Sequence, residues 1–207
     1  MLEVDCNYIY SMILSPSQKY LQVLDKVDAN EGKTSIISLE TMQTVVVFKE
    51  NAQTNYYLKA SYPLVKFTSD DKLLFRYNSK VIEVYDEKNT QVRVIQTGLQ
   101  EFFELSLIST EKNYVLVTGF LDKKTNKGSL QLYNQEKDEP FYEKIINKAE
   151  EIKVKFSPTS NKFLIELQTY YDPTGKSYYG EYGLYLFNED TNKISKIKTA
   201  AGPVHDF

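Results

Sequence analysis

Residue types that often build catalytic or cross-linked sites are scarce in this chain. Its 207 residues include no Trp, one Cys (Cys6) and one His (His205). A single cysteine excludes an intrachain disulfide, and a lone histidine argues against a zinc site or a Cys–His nucleophile pair. Gly175-Lys176-Ser177 lacks the first Gly of a phosphate loop, because Tyr170 stands in that position. We therefore expect no catalytic residues, no metal site, no cofactor and no enzymatic activity.

The charge balance is slightly acidic. Lys and Arg number 25 and Asp and Glu 28, which gives a net charge of -3. Proteins that bind nucleic-acid backbones in general are usually basic, so we expect no DNA binding, whereas RNA contact through a local patch stays open. The N-terminus carries Glu3 and Asp5, and the apolar run from Tyr8 to Leu14 is short. We expect no signal peptide, no membrane association and a cytoplasmic location.

Aromatic residues are abundant and accompany a repeat. The 17 Tyr and 11 Phe favour strands. Four times, an apolar stretch is followed by Ser or Thr, a few turn-forming residues and a second apolar stretch; the Ser or Thr residues are Ser15, Thr68, Ser109 and Ser157. Each copy predicts two strands joined by a tight turn. The spacings of 53, 41 and 48 residues are typical of propeller blades, which take about 40–50 residues each.

Two further strands are predicted in each copy. The third strands are Thr34–Ser38, Val81–Asp86, Ser129–Asn134 and Tyr182–Asn188. The last three of them end in an aromatic residue followed by Asp or Asn, a degenerate form of the Trp-Asp pair of WD40 blades. The fourth strands are Thr44–Phe48, Gln91–Ile95, Tyr142–Ile146 and Lys193–Lys198.

These patterns predict an all-β fold, namely a partial WD40-like β-propeller of about four blades with four antiparallel strands each, not closed. The predicted blades are approximately 10–50, 62–97, 102–147 and 151–198, and residues 202–207 are expected to start a further blade. We therefore expect the chain to be a fragment or truncated form of a longer propeller. Another all-β array is the alternative.

The connections between second and third strands (the b–c connections) are the candidate binding region. They lengthen along the chain, from Asn78-Ser79 through Leu121–Gly128 to Tyr170–Tyr182. Insertions confined to one edge of a repeat protein often form its binding face. The candidate partner-binding residues are Lys123, Lys124, Lys127, Lys176, Tyr178 and Tyr179. The alternatives are that the lysines are solvated loop tips and that the tyrosines pad the loop against its blade.

One segment carries a family resemblance. Residues 172–181 read Asp-Pro-Thr-Gly-Lys-Ser-Tyr-Tyr-Gly-Glu, which closely resembles a stretch of the eukaryotic translation initiation factor 2A family. Residues 202–206 are also similar to that family, although a Tyr is expected where His205 stands. The blade spacing from Leu64 onward agrees with the family's middle blades, and residues 1–60 match only by pattern.

The resemblance implies a factor with a nine-bladed N-terminal propeller and a charged C-terminal tail. It further implies the small ribosomal subunit, initiator methionyl-tRNA and other initiation factors as partners. Three alternatives stay open: a generic WD40-type protein–protein interaction module, a propeller of the kind found in initiation factor 3, and an enzyme built on a propeller. The enzyme would need clustered carboxylates or a histidine site.

Overall fold

The structure is a computed structural model that describes residues 8–26, 31–51, 65–78, 80–108, 114–134, 137–156, 162–169, 181–188, 191 and 193–197. The chain divides into two compact units, Met1–Thr97 and Gly98–Phe207. The described residues form sixteen strands and no helix. Among these residues, accordingly, no helix is long and apolar enough to cross a membrane.

The first unit contains two four-stranded antiparallel sheets. The first sheet consists of β1 (Ile9–Leu14), β2 (Tyr20–Lys26), β3 (Glu31–Ser38) and β4 (Gln43–Asn51). The second consists of β5 (Val65–Phe67), β6 (Leu73–Asn78), β7 (Val81–Asp86) and β8 (Gln91–Gln96). In both sheets each strand pairs with the next strand along the chain, which is the meander of a propeller blade.

The second unit repeats this arrangement. Its first sheet consists of β9 (Glu101–Ile108), β10 (Tyr114–Asp122), β11 (Lys127–Asn134) and β12 (Tyr142–Ile146). Its second sheet consists of β13 (Ala149–Phe156), β14 (Lys162–Thr169), β15 (Glu181–Asn188) and β16 (Lys193–Ile197). All pairings between neighbouring strands are again antiparallel.

The repeated Ser or Thr builds the same turn in both sheets of the first unit. The backbone N–H of Ser15 and of Thr68 donates to the carbonyl five residues later, at 2.9 and 3.0 Å. Each hydroxyl accepts from the N–H five residues later, at 3.1 Å in both turns. The third residue after each, Gln18 or Asp71, has a left-handed φ of 61° or 57°. The pattern seen in the sequence is therefore one hydrogen-bonded turn used twice.

The two sheets of the first unit pack face to face. Ile36 and Phe48 of the first sheet share a buried cluster with Val65 and Leu74 of the second. At its border the rings of Tyr20 and Phe67 stack with centroids 5.5 Å apart, and those of Phe48 and Tyr85 lie 5.3 Å apart. Burial of these apolar faces is the main term that joins one blade to the next.

The second unit has a larger core of the same kind. Its buried residues are Leu116, Phe120, Leu130, Leu132 and Ile146 from one sheet and Ala149, Ile152, Phe163, Ile165, Leu167 and Phe187 from the other. Phe187, the aromatic residue of a predicted aromatic-plus-acid pair, stacks on Phe163 with centroids 4.5 Å apart. The aromatic position of the repeat is thus a core position.

The sheets run over residues 9–51, 65–96, 101–146 and 149–197, beside predicted blades of 10–50, 62–97, 102–147 and 151–198. Residues 202–207 lie outside the described residues. One predicted connection is wrong in length: β10 extends to Asp122 and β11 begins at Lys127, so the loop assigned to 121–128 is a four-residue turn. The reason is that strand pairing continues beyond an irregularity between Phe120 and Asp122.

Candidate functional site

The turn between β10 and β11 is ordered by one carboxylate. Residues 123–126 connect the two strands. The carboxylate of Asp122 accepts hydrogen bonds from the Thr125 hydroxyl at 2.8 Å and from the Lys124 backbone N–H at 3.0 Å. These bonds, the Thr125 hydroxyl first, lower the pKa of Asp122 because they stabilise its charged form. Asn126 closes the turn with a left-handed φ of 52°, a conformation that Asn tolerates better than most residues.

Residues outside the turn fix both of its ends. The backbone N–H of Gln100 donates to the carbonyl of Phe120 at 2.7 Å, and the Gln100 side-chain oxygen accepts from the Lys123 N–H at 3.2 Å. At the other end, the Ala149 N–H donates to the carbonyl of Asn126 at 2.8 Å. The segments that lead into β9 and β13 therefore both hold the turn, so it is a fixed platform.

Gly128 allows the close approach on which the second of these contacts depends. A Cβ atom at Gly128 would lie 2.8 Å from the Cβ of Ala149, which is closer than nonbonded carbons come. Between β12 and β13 the chain turns through Asn147 and Lys148, and Lys148 is exposed with a left-handed φ of 54°. The close approach brings a fourth lysine to the same edge of the sheet.

Three of the six predicted binding residues lie together on this platform. Lys123, Lys124 and Lys127 are all exposed, and we call them the basic turn. Neither Lys124 nor Lys127 forms an ion pair with another described residue. The other three predicted residues, which are Lys176, Tyr178 and Tyr179, lie outside the described residues, as does His205. Partner binding by any of these residues stays a prediction.

Lys148 is the residue of this platform that sequence reasoning missed. The available signal was the short polar pair Asn147-Lys148 between two predicted strands, which marks a tight connection. Connections from the fourth strand of one blade to the first of the next share an edge with the b–c connections, because successive strands alternate in direction. The hydrogen bond from Ala149 to Asn126 shows this proximity directly.

A pocket in the first unit is the second site considered. It has an empty volume of about 210 Å³ and is lined by Tyr20, Ile36, Phe67, Asp71, Leu74, Asp86, Glu87 and Asn89. The carboxylate of Asp71 accepts hydrogen bonds from the hydroxyls of Ser15 and Ser17. That of Asp86 accepts from two backbone N–H groups of its own turn, at 2.9 and 2.8 Å. Both carboxylates therefore stabilise turns. In the described part of the chain, no group of three or more His, Cys, Asp or Glu side chains is arranged to hold a metal ion.

Solved structures share this arrangement of blades. The crystal structure of a eukaryotic initiation factor superposes with a TM-score of 0.69 and 20% identity, covering 96% of this chain and 46% of that one. The β-propeller domain of the Trilobed protease from Pyrococcus furiosus gives a TM-score of 0.53 and 13% identity, covering 95% of this chain and 59% of that one. The chain therefore has a β-propeller fold, and the predicted fold class is confirmed.

Sequence comparisons narrow this class to a family. Residues 144–207 match the family model of eukaryotic translation initiation factor eIF2A. Three curated proteins named eukaryotic translation initiation factor 2A match most of the chain: 26% identity over 93% of it in Dictyostelium discoideum, 24% over 95% in Schizosaccharomyces pombe and 23% over 100% in Saccharomyces cerevisiae. The chain spans about a third of these relatives, or 32%, 34% and 36% of their lengths. The resemblance to the eukaryotic translation initiation factor 2A family is confirmed.

Proposed function

We propose that the chain is a non-catalytic scaffold of the translation initiation factor type, which binds the small ribosomal subunit in the cytoplasm. In this role it takes part in the delivery of initiator methionyl-tRNA together with other initiation factors. The family match supports the process. The observation that carries the ribosome contact is the basic turn, which presents three exposed lysines from a platform fixed at both ends.

Lysines on a fixed turn suit contact with an RNA surface. Phosphate contacts position a protein on nucleic acid without reading its sequence, and each adds a salt-dependent term to binding. With a net charge of -3, the chain as a whole repels RNA, so attraction has to come from a local patch. Lys148 extends that patch along the same edge. Residues 170–180, which join β14 to β15, belong by connectivity to the corresponding edge of the neighbouring sheet.

The test is cosedimentation of the chain with purified small ribosomal subunits. In the basic-turn variant, Lys123, Lys124 and Lys127 are all changed to Glu. We expect its binding to fall at least ten-fold at low salt, because three attractive phosphate contacts become repulsive. Its melting temperature should stay within about 2 °C of the unchanged chain, since exposed side chains away from packing contribute little to stability.

A control variant with the same net charge separates local contact from overall charge. It carries Lys72→Glu, Lys88→Glu and Lys137→Glu, which are exposed lysines of a–b or c–d turns. We expect this variant to retain most of its ribosome binding at physiological salt. Equal loss in both variants, or no loss in the basic-turn variant, would show that the basic turn is not the docking surface.

A second variant addresses the predicted tyrosines. In the double change Tyr178→Ala and Tyr179→Ala, lost ribosome binding with unchanged stability would place both side chains at the interface, where Tyr is a frequent anchor. We expect this result. Lost stability with retained binding would instead mean that they pad the loop against its blade.

A further inference from the structure

Two lysines from different blades of the second unit converge on one tyrosine ring. The Nζ atom of Lys144 on β12 lies 3.9 Å from the ring centroid of Tyr185 on β15. The Nζ atom of Lys196 on β16 lies 5.9 Å from the same centroid. Tyr185 and Lys196 are register partners, so their side chains leave the sheet on the same side. The three residues thus form one constellation at the border between two sheets.

The ring at the centre of this constellation is held in place by packing. A Cβ atom at Gly183 would lie 2.8 Å from Cε2 of Tyr185, so the ring lies directly against the backbone of Gly183. Tyr185 also packs against the buried core of the second unit, beside Tyr142. Because the ring cannot shift easily, it fixes the approach of both lysine side chains.

The electrostatics leave excess positive charge at this position. Burial lowers the pKa of Lys144, and the nearby charge of Lys196 lowers it further. Among the described residues, no carboxylate lies within ion-pair distance of Lys144. Two neighbouring ammonium groups repel each other, and an anion placed between them would convert this repulsion into attraction.

The constellation lies near the platform of the basic turn. Ile146, two residues after Lys144, is the register partner of Gly128, which directly follows Lys127. Lys144 is therefore on the strand next to β11, close to the end that carries the basic turn. Basic side chains thus continue from the turn through Lys148 to the border between the two blades.

We propose that Lys144, Tyr185 and Lys196 form a phosphate-binding subsite that takes the phosphodiester backbone of an RNA helix. This inference rests on the proposed function, because it extends the same RNA contact from the basic turn to the border between the blades. Lysine ammonium groups bind phosphate as point charges. The aromatic ring stabilises them while the site is empty, so the subsite is in place before the RNA arrives.

The test is binding of the chain to a fluorescein-labelled 20-base-pair RNA duplex, followed by fluorescence anisotropy over a salt series. Each phosphate contact that is removed lowers the slope of log K against log salt by about one. We expect Lys144→Gln and Lys196→Gln to lower the slope by about one each, with about ten-fold weaker binding at 50 mM salt. Lys144→Arg, which keeps the charge and the ring contact, should restore both values.

Lys137→Gln is the matched control, because Lys137 is an exposed lysine of the same unit in the turn between β11 and β12. Its slope should equal that of the unchanged chain. An unchanged slope in the double variant Lys144→Gln with Lys196→Gln overturns the proposal, and the constellation is then only a contact between blades. Stronger competition by polyglutamate than by unlabelled RNA overturns it as well, in favour of an acidic protein partner.

A second readout on the unchanged chain does not depend on the folding of any variant. Binding of inorganic phosphate or RNA at the subsite should raise the pKa of Lys144, which can be followed through its ¹³Cε chemical shift. A pKa that stays constant at saturating RNA overturns the proposal. Failure of the unchanged chain to sediment with small ribosomal subunits, combined with the expected duplex results, would remove the proposed function and leave the subsite. Normal sedimentation with unchanged slopes would do the reverse.

Discussion

Asp71 joins two blades through a single side chain. It is 4% exposed, and its carboxylate accepts hydrogen bonds from the hydroxyls of Ser15 and Ser17 in the neighbouring sheet. We expect Asp71→Ala to lower the free energy of unfolding by about 3 kcal/mol, because hydrogen bonds to charged groups contribute about 1.5–3 kcal/mol and Ala also disfavours the left-handed backbone. Urea denaturation followed by circular dichroism measures this loss.

Asp71→Asn is the control for that prediction. Asn tolerates the left-handed φ of 57° and keeps one acceptor oxygen, so only part of the stability should be lost. Equal stability of Asp71→Ala and the unchanged chain would show that the contact between the two turns contributes nothing measurable.

Asp70, the preceding residue, predicts a dependence of stability on acid pH. Its pKa is lowered to about 2, first by the hydrogen bond from the Thr68 hydroxyl and next by that from the Lys72 N–H. A carboxyl with a lowered pKa in the folded state stabilises the fold above its unfolded pKa of about 3.9, and this contribution is lost as the pH falls to about 2. We expect Asp70→Asn to be less stable than the unchanged chain at pH 6 and equally stable near pH 2.

Urea midpoints of both proteins between pH 2 and pH 6 test this expectation. Asp70 is half exposed, so solvent screening keeps the difference small. A difference that stays constant over the whole pH range would mean that the carboxylate does not stabilise the turn by its charge.

Residue-scale features were foreseeable only where a local pattern encodes them. The Ser15 and Thr68 turns follow from short-range turn chemistry, which the sequence displays. The bond between Asp71 and Ser15 spans 56 residues, and nothing local to either residue specifies it. The Lys144–Tyr185 contact was equally hidden, because it depends on how two sheets pack and not on the pattern of either strand.

At the scale of elements, alternating apolar patterns predicted the strands well. Val81–Asp86 and Tyr142–Ile146 have the predicted bounds. The connection at 121–128 was drawn too long, because its Lys, Asp and Asn residues suggest a loop while the backbone pairing extends to Asp122 and Lys127. Polar composition therefore marks where a hairpin turns and leaves the last paired residues open.

The contact between β11 and the start of β13 predicts the effect of adding one methyl group. Gly128→Ala would place its Cβ 2.8 Å from the Cβ of Ala149, so one backbone has to move. We expect a loss of about 1–3 kcal/mol, the usual cost of overpacking. The double variant Gly128→Ala with Ala149→Gly should recover most of it, since the second change removes the clashing methyl. A double variant as unstable as the sum of the single variants would exclude this clash as the cause.

At the scale of the whole molecule, the number and length of the repeats defined the fold class, because stacked blades of about 40–50 residues are a regular solution to burying two-faced sheets. The binding surface follows less directly. The basic turn was identified from its lysines, whereas the fixation of that turn by Gln100 and Ala149 required the packed structure. A candidate surface is thus readable from composition, and its rigidity is a property of the fold.

The net charge of -3 leads to a prediction about salt. The basic-turn variant and the control variant carry the same net charge, so both are repelled more strongly by RNA at long range. At about 10 mM ionic strength the screening length is about 30 Å, and both variants should sediment less with small ribosomal subunits than the unchanged chain. At about 150 mM the screening length is about 8 Å, so repulsion between distant charges is largely removed.

Under the second condition the control variant should regain the binding of the unchanged chain, while the basic-turn variant should remain weak because its lost contacts are local. Sedimentation of all three proteins at both salt concentrations measures this difference. If both variants recover equally at the higher salt concentration, the ribosome responds to the overall charge of the molecule, and the three lysines of the basic turn make no direct contact with it.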